Sequence, residues 1–177
     1  MIISVERAKQ LLNLGDEWTD EQLEHKLKAI EQTIRGYTNN NFQDRDIRVR
    51  ADIVNGELHC DVFPPFEEED IIQITNSKYN KGLYTVFMVG DTSFSLEEDV
   101  NDENNVLVTK VYYPADVIEC ALNLLQWDIK NRGKVGIQSE TLSRHSVSYF
   151  NMDGNNSLMG YPASLLGNLR AYKKARF

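Results

Sequence analysis

Along the first forty residues the apolar positions keep helical time. Val5, Ala8, Leu11 and Leu12 form one stripe behind Ser4, a residue suited to cap a helix start. Glu6 then lies near the positive end of the helix dipole, and Gly15 is a natural stop. A second stripe of Leu23, Leu27, Ile30, Ile34 and Tyr37 alternates with Glu, Lys and Gln. Thr19-Asp20-Glu21-Gln22 fits a capping box, in which the Thr hydroxyl and the Gln amide each satisfy an orphan backbone N–H. Thr38-Asn39-Asn40-Asn41 ends that helix, because Asn side chains compete for backbone hydrogen bonds and suit turns.

The period then shifts from helix to strand. Ile47-Arg48-Val49-Arg50-Ala51-Asp52-Ile53 alternates apolar with polar, and Asn55-Gly56 is a strong turn signal. Pro64-Pro65 interrupts any regular element. Beyond it, Ile71 to Thr75 and Leu83 to Val89 flank the turn Asn80-Lys81-Gly82. A further hairpin is expected between Thr92–Leu96 and Val106–Tyr112, with Asp99 to Asn105 as an exposed acidic loop. Short strands with such frequent turns predict a small antiparallel sheet or barrel.

Helical spacing returns after Pro114, whose fixed φ suits a helix start. Val117, Ile118, Ala121, Leu122, Leu125 and Ile129 make a wide apolar face, with Leu124 and Trp127 beside it. This predicts a central helix running to Arg132-Gly133, covered on several sides. Gly133 to Ile137 reads as a turn, Leu142 to Phe150 as an extended or hairpin segment, and Asn151 to Asn156 as a loop. Tyr161-Pro162 opens a last short helix with Leu165, Leu166, Leu169 and Tyr172 on one face, followed by the basic tail Lys173-Lys174-Ala175-Arg176-Phe177. The expected fold class is therefore α+β: a helical bundle formed by the N- and C-terminal segments (1–45 and 114–177), with an acidic β-rich insert at 46–113.

Charge sharpens that division. The 177 residues carry a net −8, spread unevenly: residues 46–113 hold 5 basic and 14 acidic side chains, a net of −9, whereas 114–177 hold 8 basic and 5 acidic, a net of +3. An acidic middle does not bind nucleic acid by neutralising phosphates, which takes clustered Lys and Arg. No apolar run approaches the roughly 20 residues needed to span a bilayer. Met1 to Arg7 lacks a basic region followed by an apolar stretch, so no secretory signal is expected and the protein is expected to work in a cytoplasm.

Catalytic chemistry finds little support in the residues. His25 sits between Glu24 and Lys26 on a polar helix face. In His59-Cys60-Asp61 a strand would turn His59 and Asp61 one way and Cys60 the other, so the three do not converge. His145 follows Arg144 in a Ser-rich stretch. Cys60 and Cys120 are far apart and read as small buried apolar residues. Glu67-Glu68-Glu69-Asp70 lacks the alternating ligands and central Gly of a calcium loop and reads as a solvated acidic loop. No phosphate-binding loop, dinucleotide fingerprint, HExxH or nucleophile elbow occurs. No enzyme, metal or cofactor is expected.

Three stretches carry a family resemblance. They are Val5 to Leu12 with the capped helix Glu21–Tyr37; Tyr113-Pro114-Ala115-Asp116-Val117 with Gly136 to Tyr149; and Gly160-Tyr161-Pro162 with Leu169 to Phe177. Together the chain resembles the head–tail connector (adaptor) family of long-tailed bacteriophages and related prophages. The resemblance implies a mainly helical subunit, of which about a dozen copies form a ring beneath the portal protein. That ring extends the DNA channel without specific DNA binding and presents a surface to the next neck or stopper protein. It also implies a place in the virion neck, reached by assembly in the bacterial host cytoplasm. The family's C-terminal arm, which engages the portal or a neighbouring subunit, falls here on Leu169, Arg170, Tyr172, Lys173, Lys174, Arg176 and Phe177. Glu67, Glu68, Glu69 and Asp70 are candidates for an acidic channel lining. Two other readings compete: another neck or tail-completion (stopper) protein, favoured by the β-rich middle, and a small nucleic-acid-binding regulator using the basic tail.

Overall fold

The structure, a computed structural model, describes residues 1–15, 17–131, 139–142, 145–148 and 156–175. The chain divides into two compact units. One is Asn41–Tyr113 together with Met1; the other joins Ile2–Asn40 to Pro114–Phe177.

In the first unit six strands close on themselves: β1 (Gln43–Val54), β2 (Glu57–His59), β3 (Ile71–Thr75), β4 (Gly82–Val89), β5 (Ser93–Leu96) and β6 (Glu103–Val111). Around the barrel they run β1-β2-β5-β4-β3-β6, every neighbouring pair antiparallel. Alternation decides which side chains go inside. Val49, Ala51 and Ile53 of β1 point inward to join Leu58, Ile72, Ile74, Val86, Phe94, Val106 and Val108, while Arg48, Arg50 and Asp52 stay exposed. Phe66, from the loop after β2, caps this core edge-on against Phe94 with ring centroids 5.2 Å apart. Closure leaves no free strand edge along the sheet.

Local chemistry sets the corners. Asn55 (φ 54°) and Gly56 (φ 83°) both take the left-handed conformation that the two-residue β1–β2 turn requires. Asn13, Asn39, Asn76 and Asn105 also adopt positive φ, consistent with the tolerance of Asn for that region. Phe42 does so as well (φ 52°); it packs on Tyr113 at 5.0 Å and its carbonyl accepts from the Tyr112 amide. The hairpin expected between Thr92–Leu96 and Val106–Tyr112 does not form. β5 pairs with β2 and β4, whereas β6 pairs with β1 and β3, because closing the barrel draws β6 back to the first strand.

The second unit holds α1 (Val5–Leu12), α2 (Asp20–Thr38) and α3 (Ala115–Asn131). The Ser4 hydroxyl accepts from the Arg7 amide, as a cap should, but α1 ends at a left-handed Asn13 rather than at Gly15. Of its expected stripe Leu11 is exposed; Ala8 is buried and Val5 and Leu12 are half-buried. In α2 the capping box of Thr19 and Gln22 is complete, and Leu23, Leu27, Ile30 and Ile34 are fully buried. Burying each such side chain stabilises by about 1.5–3 kcal/mol. Thr38 continues the stripe in place of Tyr37, its hydroxyl donating to the Ile34 carbonyl at 2.7 Å. α3 buries Val117, Cys120, Ala121, Leu122, Leu124 and Leu125, so it is apolar over much of its girth.

The helical bundle expected from the two ends of the chain is not what this unit builds. After α3 come strands β7 (Ser139–Leu142) and β8 (His145–Ser148), paired as a hairpin, then the short pair β9 (Ser157–Leu158) and β10 (Tyr161–Pro162). The last segment is a 3-10 helix, Ala163–Tyr172, instead of an α-helix. The chain is extended at Ser139–Leu142 and His145–Ser148, and the left-handed Met159 and Gly160 before Pro162 break any helix there. The 3-10 period of three then places Leu166 and Leu169 on the buried side, while Leu165 is only half-buried. The chain as a whole is mixed α+β, with a closed barrel as its largest element.

Candidate interaction surfaces

The basic tail is strapped down as far as it is described. The Lys174 amide donates to the Thr38 carbonyl at 2.8 Å. The Asn39 side chain donates to the carbonyls of Lys174 and Ala175, and that of Asn40 to the carbonyl of Tyr172. The Tyr172 hydroxyl donates to Asp116 in the first turn of α3, 2.7 Å from Oδ1. Lys173 Nζ stands 3.9 Å from the ring centroid of Tyr37, close to the C-terminus of α2, where a cation also meets the negative end of the helix dipole. Leu169 is buried inside the unit, whereas Arg170 and Lys174 are exposed. Arg176 and Phe177 lie outside the described residues.

The acidic stretch separates into two roles. Glu67, Glu68 and Glu69 are exposed. Asp70 is not a free carboxylate: it meets Lys110 Nζ at 2.6 Å and accepts the Glu67 amide at 2.9 Å, which fixes the loop that carries the other three. A second carboxylate, Glu103 at the start of β6, ties down the β3–β4 turn. It accepts from the Ser77 hydroxyl (2.6 Å), the amides of Lys78 and Tyr79, and the side chain of Asn80 (3.0 Å). The Ser77 hydroxyl first, then the Lys78 amide, hold its pKa down at about 2.

His25 is exposed on α2 and His59 at the end of β2, and Asp61 is exposed while Cys60 is buried. Burial, with Asp61 adding a like-charge effect, pushes the Cys60 thiol up to about 11; burial and Asp116 do the same to Cys120, whose Sγ donates to the Leu165 carbonyl at 3.2 Å. Thiols so raised are poor nucleophiles. Among the described residues no cluster of His, Cys, Asp or Glu could hold a metal ion, and no helix is long and apolar enough to cross a membrane. The side chain of His145 lies outside the described residues.

Two surfaces of the barrel escaped the sequence reading. The first is a cleft of about 570 Å³ over β1, β6 and β3. Arg45, Arg48 and Lys81 line it together with Gln73, Thr75 and Thr109, and the strand register sets Arg48, Thr109 and Gln73 side by side across three strands. The second is an apolar patch. Opposite Leu96 and Ser95 of β5, β4 inserts Phe87 as an extra residue between Val86 and Met88, so that Phe87 (61% exposed) and Met88 (54%) both face outward. The chain from Cys60, whose amide donates to the Thr92 carbonyl, to Glu69, whose amide donates to the Val86 carbonyl, carries Val62 and Phe63, 58% and 68% exposed. No local pattern signals either surface. The cleft exists only once β6 lies between β1 and β3, and the patch depends on a bulge.

The family model for phage gp6-like head–tail connector proteins matches residues 2–156. The chain belongs to that family. Its role is structural, that of a head–tail connector at the virion neck. A comparison with curated proteins gives no match.

Proposed function

We propose that this connector acts as one of about a dozen identical copies in a ring beneath the portal of the filled head. The ring carries the DNA channel onward and offers its far side to the next neck or stopper protein. Family membership across residues 2–156 is the observation that carries this reading. The net −9 of residues 46–113 supports passage of DNA without specific binding, since like charge repels the phosphate backbone. Assembly takes place in the host cytoplasm, from an active phage or a prophage.

The C-terminal arm supplies the joint to the portal or to a neighbouring subunit, and Arg170 and Lys174 are its described cations free to meet an acidic partner; Arg176 and Phe177 extend it. The closed barrel is the feature that favours the other reading, a stopper-type completion protein, and the family match favours the connector. Gel filtration of the connector with its portal separates them: a connector co-elutes with the portal, whereas a stopper requires a connector already in place. The double variant Arg170→Glu/Lys174→Glu should weaken portal binding by about tenfold or more. Wild-type affinity in that variant would remove the arm from the joint. Tight, salt-dependent binding to DNA would instead favour the regulator.

A further inference from the structure

We propose that the barrel unit joins neighbouring copies of the connector head to tail, the patch of one copy seating in the basic cleft of the next. The inference rests on the ring reading and assigns its subunit contact.

Placement is the first argument. The cleft spans β1, β6 and β3, whereas Phe87 and Met88 of the patch lie on β4, two strands from β6 by way of β3 and four by way of β1. Each copy therefore presents two separate surfaces on different strands of one barrel. Two different surfaces that fit one another repeat from copy to copy and close a ring when the rotation permits.

Chemistry is the second. Residues 46–113 are strongly acidic, and their few cations are mostly engaged: Lys110 with Asp70, Arg50 with Asn105 at 2.9 Å, Lys78 over the ring of Tyr79. Arg45, Arg48 and Lys81 are exposed in the cleft and form no ion pair among the described residues. At the patch Glu67, Glu68 and Glu69 flank β4 through the bond from the Glu69 amide to the Val86 carbonyl, and Glu97 and Glu98 reach β4 at Thr85. Carboxylates thus lie beside the stretch of β4 that exposes Phe87 and Met88, and Val62 and Phe63 are exposed in the loop that carries Glu67 to Glu69. An apolar centre inside a charged rim is the anatomy of a protein interface, and the cleft supplies the opposite charge. The bulge is the third argument: it turns two adjacent large apolar side chains to water, which a barrel wall does not need for its own stability. A second copy fits as occupant because one chain carries both complementary halves.

Two charge-reversed full-length variants test this, Arg45→Glu/Arg48→Glu and Glu67→Lys/Glu68→Lys, with thermal melts to check that each stays folded. Self-association is followed by sedimentation, alone up to about 0.5 mM and on the portal. Wild type should associate more weakly as salt rises, and either variant alone should associate about tenfold or more weakly than wild type. An equimolar mixture should recover to within about threefold, since alternating copies set reversed against reversed and native against native. Association of either variant at the wild-type level overturns the proposal, and so does a mixture that fails to recover. A wild-type chain that binds the portal yet never self-associates also overturns it while leaving the connector reading intact. Intact rings with impaired DNA ejection would assign Glu67 and Glu68 to the channel instead.

Discussion

Lys110 Nζ sits 2.6 Å from Asp70 Oδ2, with both side chains largely shielded from water. The pair joins β6 to the residue before β3 and holds the loop that carries the exposed Glu67, Glu68 and Glu69. Removing one partner strands the other, so Lys110→Ala should destabilise the barrel by about 1–2 kcal/mol in urea unfolding. It should also speed amide exchange at Glu67, whose N–H the same carboxylate accepts. Unaltered exchange would mean the loop is held by other contacts.

Glu103 gives the β3–β4 turn a pH dependence. Its pKa lies at about 2 in the folded protein and near 4.5 when freed. The contribution is therefore complete above pH 4.5, falls as the pH drops from 4.5 toward 2, and is gone below that. Glu103→Gln should lower stability at pH 7 and flatten the loss between pH 4.5 and 2. An acid-unfolding profile of the variant parallel to wild type would contradict the assignment.

The arm can be tested for its two separate duties. Truncation after Tyr172 removes the bonds that Lys174 and Ala175 make with Thr38 and Asn39, so it should lower the melting temperature by a few degrees. The side-chain variant Arg170→Glu/Lys174→Glu touches none of these backbone bonds and should leave the melt unchanged. Deleting residues 170–177 therefore perturbs fold and joint together, and the charge variant isolates the joint.

The β1–β2 turn offers a plain check on local chemistry. Gly56 holds φ 83°, so Gly56→Ala should cost about 1 kcal/mol in urea unfolding. In the barrel core, Phe94→Ala should cost about 3–5 kcal/mol, because Phe94 is fully buried and stacks edge-on with Phe66. A small effect at Phe94 would mean that the interior collapses to fill the space.

Local rules made much of this fold legible. Ser4, Thr19 with Gln22, and Asn55-Gly56 do in the structure what their side chains dictate, and the alternation from Ile47 to Ile53 sorts inside from outside as written. What escaped the sequence is set by closure and by the last segment. Strand order around a barrel depends on which strands meet last, so β5 and β6 looked like neighbours when they are not. The period of 165, 166, 169 and 172 suits an α-helix, yet the chain there winds as a 3-10 helix behind Pro162. The candidate site divided in the same way. The tail's charges were plain to read, but its attachment to Asn39 and Asn40 depends on a fold that brings residues 135 positions apart together. The cleft of Arg45, Arg48 and Lys81 had no signature because β1 and the turn before β4 meet there only across β6 and β3.

Electron microscopy of the connector mixed with its portal tests the central claim most directly. The expected image is a second ring coaxial with the portal, with barrel units touching around its circumference and an open channel at its centre. A portal that keeps a bare lower face, with the connector left as free monomers at saturating concentration, would contradict it.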